Sequence, residues 1–176
     1  MTNSAAPQPT EAKGTASFSA GDFVVYPTHG VGKVTTIETQ VIGNQSIKLF
    51  VISFDRDRMT LRVPLLKAKY LGLRRLSTRP VMATALTTLK GRATVKRAMW
   101  SRRALEYAAK INSGNPISIA EVVRDLHRGP NQSEQSYSER QIYEQALGRL
   151  TYELAAVEKI EHEAATSKLE KLLSAA

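Results

Sequence analysis

The hydrophobic period of this chain changes once, near Thr78, and that change limits the fold more than any other feature. From Gly21 to Ser77 the signals are those of short strands. DFVVY is β-rich and stops at Pro27, VGKVTTIETQVI is dense in Val, Ile and Thr, and Gly43-Asn44 is a hairpin dipeptide. IKLFVISF follows, apolar on both faces near its centre, then the polar turn Asp55-Arg56-Asp57-Arg58 and the strand MTLRVP, which ends at Pro64; LGLRRLS offers a last short strand. Four or five such strands in so little chain suit a small, strongly bent barrel rather than a sandwich.

From Pro80 the period is helical. Met82, Ala85, Leu86 and Leu89 recur at i, i+3, i+4 and i+7, with Pro80 at a first helical position and Gly91 at the stop. Ser101 reads as the cap of a second helix with Leu105, Ala108 and Ile111 inward, ended by Ser113-Gly114-Asn115-Pro116. Ser118 to Glu121 and Ser138 to Gln141 match capping boxes. The first opens a stripe of Ile119, Val122, Val123 and Leu126. The second opens a long helix with Ile142, Ala146, Leu150, Leu154 and Val157 inside, and a final helix carries Leu169, Leu172 and Leu173. The predicted class is therefore α+β: a polar, disordered lead-in over 1–17, a β-barrel module over 18–78 and a helical module over 79–176.

The charge follows this division. Of 25 basic and 16 acidic residues in 176, giving a formal charge of +9, the positive excess concentrates between residues 79 and 130. A basic balance of this kind points to a polyanionic partner. Cysteine is absent, which excludes disulfides, thiolate metal sites and a cysteine nucleophile. His29, His127 and His162 lack ligand spacing, Gly30-Val-Gly32-Lys33 lacks the spacing of either nucleotide fingerprint, and no nucleophile elbow occurs. The reading is a non-enzymatic protein without cofactor or metal. No apolar run is long enough to span a bilayer, which needs about 18 residues, so no membrane partner is expected. A cytoplasmic, nucleoid-associated location fits these features, and nothing in the pattern demands more than a monomer.

The one tryptophan, Trp100, lies in KGRATVKRAMWSRRALEYAAK, where Lys90, Arg92, Lys96, Arg97, Arg102 and Arg103 meet no acidic residue before Glu106. Burying the indole there would draw Arg102 or Arg103 toward the core, at a cost unless they are paired. An exposed indole among cations makes sense against DNA: the cations neutralise phosphates and the flat ring enters a groove or a parted base step. Arg62, between Leu61 and Val63, points away from its apolar neighbours, and from the residues alone it reads as a solubilising charge.

DFVVYPTHGVGKVTTIE, MTLRVP and LGLR, followed by WSRRALEYAAKINSG, AEVVRDLHR and SERQIYEQALGRLTYELA, resemble in order the CarD/CdnL family of bacterial transcription regulators, over about residues 18–165. The barrel module also resembles the polymerase-interacting region of transcription-repair coupling factors, whose helicase motifs are missing here. The resemblance implies a Tudor-like barrel that docks on the RNA polymerase β subunit and a helical module that touches promoter DNA. There, a tryptophan at the position of Trp100 wedges into the minor groove at the upstream edge of the melting region and stabilises the open complex. On the same grounds Arg102, Arg103 and Arg140, with Lys96 and Arg97 of the basic stretch, are expected to contact DNA, while Val51, Arg62 and Pro64 are expected to contact polymerase. Gln40 occupies a polymerase-facing place where some members carry arginine, and His127 stands where some carry tryptophan. The alternative reading is a basic module that binds structured RNA or the ribosome. The ending KLLSAA resembles the Ala-Ala tails that bacterial unfoldase-proteases recognise, so Ala175 and Ala176 make such a protease a candidate partner, against the simpler reading of a frayed helix end.

Overall fold

The computed structural model describes residues 17–175. The expected lead-in up to residue 16, and Ala176 of the Ala-Ala ending, lie outside the described residues. Strands β1 (Phe23–Tyr26), β2 (Gly30–Ile42), β3 (Gln45–Phe54), β4 (Met59–Pro64) and β5 (Arg74–Arg75) form one antiparallel sheet in the order β4-β3-β2-β1-β5. Gly43-Asn44 turns β2 into β3, with Ile42 opposite Gln45, and the Asp55–Arg58 turn joins β3 to β4, with Phe54 opposite Met59. A one-turn helix, α1 (Leu65–Ala68), which the sequence pattern does not announce, links the two edge strands β4 and β5. A register shift between Val34 and Thr36 bends β2. The inner face buries Val24, Val34, Phe50, Ile52, Phe54 and Val63.

The helical half comprises α2 (Arg79–Leu89), α3 (Trp100–Asn112), α4 (Pro116–Leu126), α5 (Tyr137–Glu158) and α6 (His162–Ser174). Its core is separate and includes Met82, Leu89, Ile111, Leu126, Leu150 and Leu169. Helix starts differ from the sequence reading in three places. The second helix begins at Trp100 after Met99, with no side-chain cap, so Ser101 lies inside the first turn. Helix α4 begins at Pro116, whose fixed φ suits that position, and Asn115 Oδ1 accepts the Ile117 N–H at 2.9 Å, displacing the Ser118 box. For α5 the box is Ser136 and Glu139, not Ser138 and Gln141: a carboxylate at the positive helix end outcompetes the neutral amide. The inward face of α3 also differs from the expected one. Tyr107 and Ile111 are buried while Leu105 is 74% exposed, because the stripe runs from Trp100 through Tyr107.

The two cores meet through polar groups. Arg149 on α5 donates to the carbonyls of Pro27, at 2.7 Å, and Thr28 in the turn between β1 and β2. One helical turn later Glu153, its side chain only 4% exposed, accepts from both terminal nitrogens of Arg74 (2.9 and 3.1 Å) and from the Ser77 N–H (3.0 Å). Arg74 also donates to the Gly114 carbonyl at the end of α3. Glycine is required on both sides of this seam. Gly30 has φ +83° and a Cβ there would stand 3.2 Å from Arg149 Cδ; Gly114 has φ +70° and a Cβ would stand 3.1 Å from Pro27 Cα.

Removing Glu153 leaves Arg74 facing a half-buried seam without its counter-charge. Glu153→Ala is expected to lower unfolding free energy by about 3 kcal/mol, read from urea denaturation, and Glu153→Gln, which keeps an acceptor for Ser77, by clearly less. Equal stability of the alanine variant and the parent would refute this.

Candidate nucleic-acid interface

Trp100 occupies the first position of α3, where the chain leaves an irregular segment spanning 91–99. Starting the helix there turns the indole toward the body of the protein. Trp100 is half-buried and packs on the edge of the helical core, neither enclosed by aliphatic side chains nor free in solvent as the sequence suggested. Positions i, i+3 and i+7 share one helix face. The Arg103 guanidinium therefore lies over the indole, 5.5 Å from its centroid, and also over Tyr107 at 5.8 Å, while Tyr107 lies 6.3 Å from Trp100. Arg103 Nη2 donates to the Tyr107 hydroxyl at 3.4 Å, and its Nε is buried without a protein partner. The guanidinium packed against both rings explains how an arginine and a tryptophan share one edge of the core: cation–π attraction replaces part of the lost hydration.

Around this edge the surface mixes apolar groups and cations. Met99 is 79% exposed, and Val95 and Leu105 are exposed as well. No acidic residue lies in the first turn of α3, whose amino end carries the positive pole of the helix. Among the described residues Arg97 and Arg102 make no ion pair, nor do Arg79, Lys90, Arg92 and Arg140. Lys96 differs, since Glu106 holds its ammonium at 3.1 Å. Arg140 is exposed on the second turn of α5.

The four residues expected to meet polymerase share one face of the sheet, opposite the inner core. In register, Val51 stands across from Arg62, Leu49 from both Pro64 and Glu38, and Gln40 from Ile47. Arg62 Nε meets Glu38 Oε2 at 3.2 Å. Because β3 lies between β2 and β4, this pair crosses over β3, which accounts for the burial of Leu49 and Val51 outside the core cluster. Sequence reading missed Glu38; its signal was the two-residue step to Gln40 on one strand face.

The histidines occupy three unrelated places. His29 packs against Tyr26 and Phe54, the His162 ring centre lies 4.3 Å from that of Tyr152, and His127 caps α4 with Nδ1 3.2 Å from the Tyr143 hydroxyl. Burial lowers the His127 pKa from its ordinary 6.5. The folded state thus binds fewer protons than the unfolded chain just below pH 6.5, and the associated stability is full above that pH and falls as pH drops through it. His127→Gln is expected to flatten the stability profile below about pH 6.5, as measured by thermal melts at stepped pH; an unaltered slope would count against the assignment. Among the described residues no helix is long and apolar enough to cross a membrane.

Both halves match models of one family. Residues 18–77 match the CarD-like/TRCF RID domain and residues 84–170 match the CarD C-terminal domain. YdeB of Bacillus subtilis (strain 168), provisionally named a transcription factor, is 27% identical over 143 residues, covering 81% of this chain and 94% of that protein. A sheet module and a helical module of the same family, in that family's order, make this chain a member of the CarD family of transcription regulators.

Proposed function

We propose that this regulator docks on the RNA polymerase β subunit through the outer sheet face of Gln40, Val51, Arg62 and Pro64 and stabilises the promoter open complex by wedging Trp100 into the minor groove at the upstream edge of the bubble. The observation that carries the reading is the seating of Trp100: an indole at a helix start, held by Arg103 and Tyr107, bordered by exposed apolar side chains and by the unpaired cations Arg97 and Arg102.

A regulator shifts the closed-to-open equilibrium only by the difference in its affinity for the two states. Cations that grip phosphates bind both states and contribute salt-dependent affinity without preference. An apolar ring that fits only an unstacked step supplies the preference, because unstacking costs a few kcal/mol and the ring fills the gap. Arg103 moves with the ring and places charge beside it. Docking of the sheet face on polymerase raises the local concentration of the wedge, so tight duplex binding is not needed. The module over 79–176, with Arg140 as a further contact, is then the DNA-binding part and 18–78 the docking part.

Trp100→Ala is expected to keep the fold and polymerase binding while shortening open-complex lifetime about tenfold, roughly the loss of one stacking contact. Competitor-challenged lifetime assays measure it, and an unchanged lifetime would sink the wedge. Arg62→Glu sets two carboxylates side by side over Leu49 and Val51 and is expected to weaken polymerase binding at least tenfold, the scale of a close like-charge pair, while sparing DNA binding; a pull-down of polymerase equal to the parent's would overturn the docking face. Co-purification of ribosomal RNA in place of polymerase subunits would favour the RNA-binding alternative.

A further inference from the structure

The segment between α2 and α3, residues 91–99, has no regular structure and is exposed almost throughout, yet it carries Arg92, Lys96 and Arg97 and delivers the chain to Trp100. Among the described residues, the side chains and main chain from Arg92 to Ala98 make two hydrogen bonds to the rest of the protein. The Thr94 N–H donates to Asp125 Oδ1 at 2.9 Å, and Lys96 pairs with Glu106 at 3.1 Å. The first bond is unlike the second. Asp125 is 4% exposed, one of three buried polar or charged residues among those described, and it sits at the end of α4 among apolar neighbours. Its Oδ1 also accepts from Arg124 Nε at 2.9 Å, and the Arg124 side chain runs past Gly91, where an added Cβ would lie 3.7 Å away.

The buried Asp125 carboxylate, its charge answered by Arg124, keeps a second bond for one main-chain N–H of an exposed segment, and that bond is the tie between the segment and the core. We infer that Asp125 is a positioning residue: it pins the basic strap at Thr94, so that Arg92 and Arg97 stand on the same surface as Trp100 and meet phosphates as one unit with the indole. Without the pin, the strap samples many conformations and its cations bind as independent charges on a loose chain. Lys96 is the strap's reserve charge. Its Glu106 partner is exposed and screened, so a phosphate readily replaces that carboxylate. The inference rests on the proposed DNA contact of Trp100 but predicts a property of the free protein as well.

The test uses the full chain with Asp125→Ala, Asp125→Asn and Thr94→Pro, the last removing the donor without touching the core. Hydrogen exchange of the free protein is read over residues 91–99, with circular dichroism as the fold control. Binding to a fluorescent DNA fragment carrying a premelted bubble is read as a function of salt. The Thr94 amide is expected to be protected in the parent and to lose protection in Asp125→Ala. Asp125→Asn, which retains a carbonyl acceptor, should keep part of it. Asp125→Ala and Thr94→Pro should each lower bubble affinity about tenfold, the scale of one charge-assisted hydrogen bond, and flatten the salt dependence by about one phosphate contact. If Asp125→Ala fails to fold, Thr94→Pro decides alone. A Thr94 amide as open in the parent as in Asp125→Ala, or affinity and salt slope within twofold of the parent in the folded variants, overturns the proposal. Trp100→Ala run in parallel separates the two ideas. If it alone loses bubble binding, the wedge stands and the strap falls; if it loses nothing, the wedge reading fails.

Discussion

Two turns of α5 determine what the rest of the molecule can do. Arg149 and Glu153, four residues apart and on one helix face, reach out of the helical half and into the sheet half: one takes main-chain carbonyls of the Pro27-Thr28 turn, the other takes Arg74 and the Ser77 N–H. An apolar seam would be non-directional and tolerant of sliding. Charge-assisted bonds to carbonyls and a forked arginine–carboxylate pair specify angle as well as distance. The Pro-Thr-His-Gly turn, conspicuous in the sequence, thus has an internal use. It is the socket for α5, with His29 packed beneath it on Phe54 and Tyr26. On the proposed function this matters because a wedge gains from its tether only if the tether delivers it in the right orientation, and the entropy of a loose joint would erode that gain.

The charge of the middle region also looks different in three dimensions. Of its cations, Lys96, Lys110, Arg124 and Arg128 answer Glu106, Glu121, Asp125 and Glu139, and Arg103 packs against two rings. Among the described residues, those left without an ion pair are Arg79 and Lys90 at the two ends of α2, with Arg92, Arg97 and Arg102 on the strap and the first turn of α3. The geometry concentrates free charge where the sequence only suggested an excess.

Much of the architecture was legible because strands and helices differ in period, and because Gly43-Asn44, the Asp55–Arg58 turn and Pro64 each have a local reason to stop or turn a strand. Legibility failed where two local readings compete. Ser136-x-x-Glu and Ser138-x-x-Gln are both valid boxes, and only the charge preference at the helix end separates them. At about 100° per residue Leu105 and Tyr107 point to nearly opposite sides of α3, and choosing Leu105 as the inward residue selected the wrong side. Arg149 and Glu153 were invisible as a pair because each directly precedes an inward leucine, Leu150 and Leu154, on a helix whose polar residues look like solvent face; nothing local says that another module lies against them. Asp125 hid for the same reason, as an ordinary charge near a helix end. For the candidate site, the residue types around Trp100 were readable, but its half-burial was not, since the stack with Arg103 and Tyr107 depends on where the helix begins.

That half-burial bears on mechanism. A fully exposed indole would sample rotamers freely and lose that freedom on insertion, while a core indole could not reach DNA at all. Trp100 lies between these limits: its packing on Tyr107 narrows its orientations before any nucleic acid arrives, and Arg103 covers the ring face that water would otherwise wet. In the proposed wedge, entering a parted base step exchanges one set of stacking partners for another, with Arg103 beside the ring to answer a phosphate. Intact duplex offers the ring no such exchange, because reaching a partner would first require the unstacking that the duplex resists. On the proposed function, the preference for open over closed promoter resides in the indole and its stack, and the surrounding cations, which treat both states alike, set only how strongly the protein is held while that preference acts.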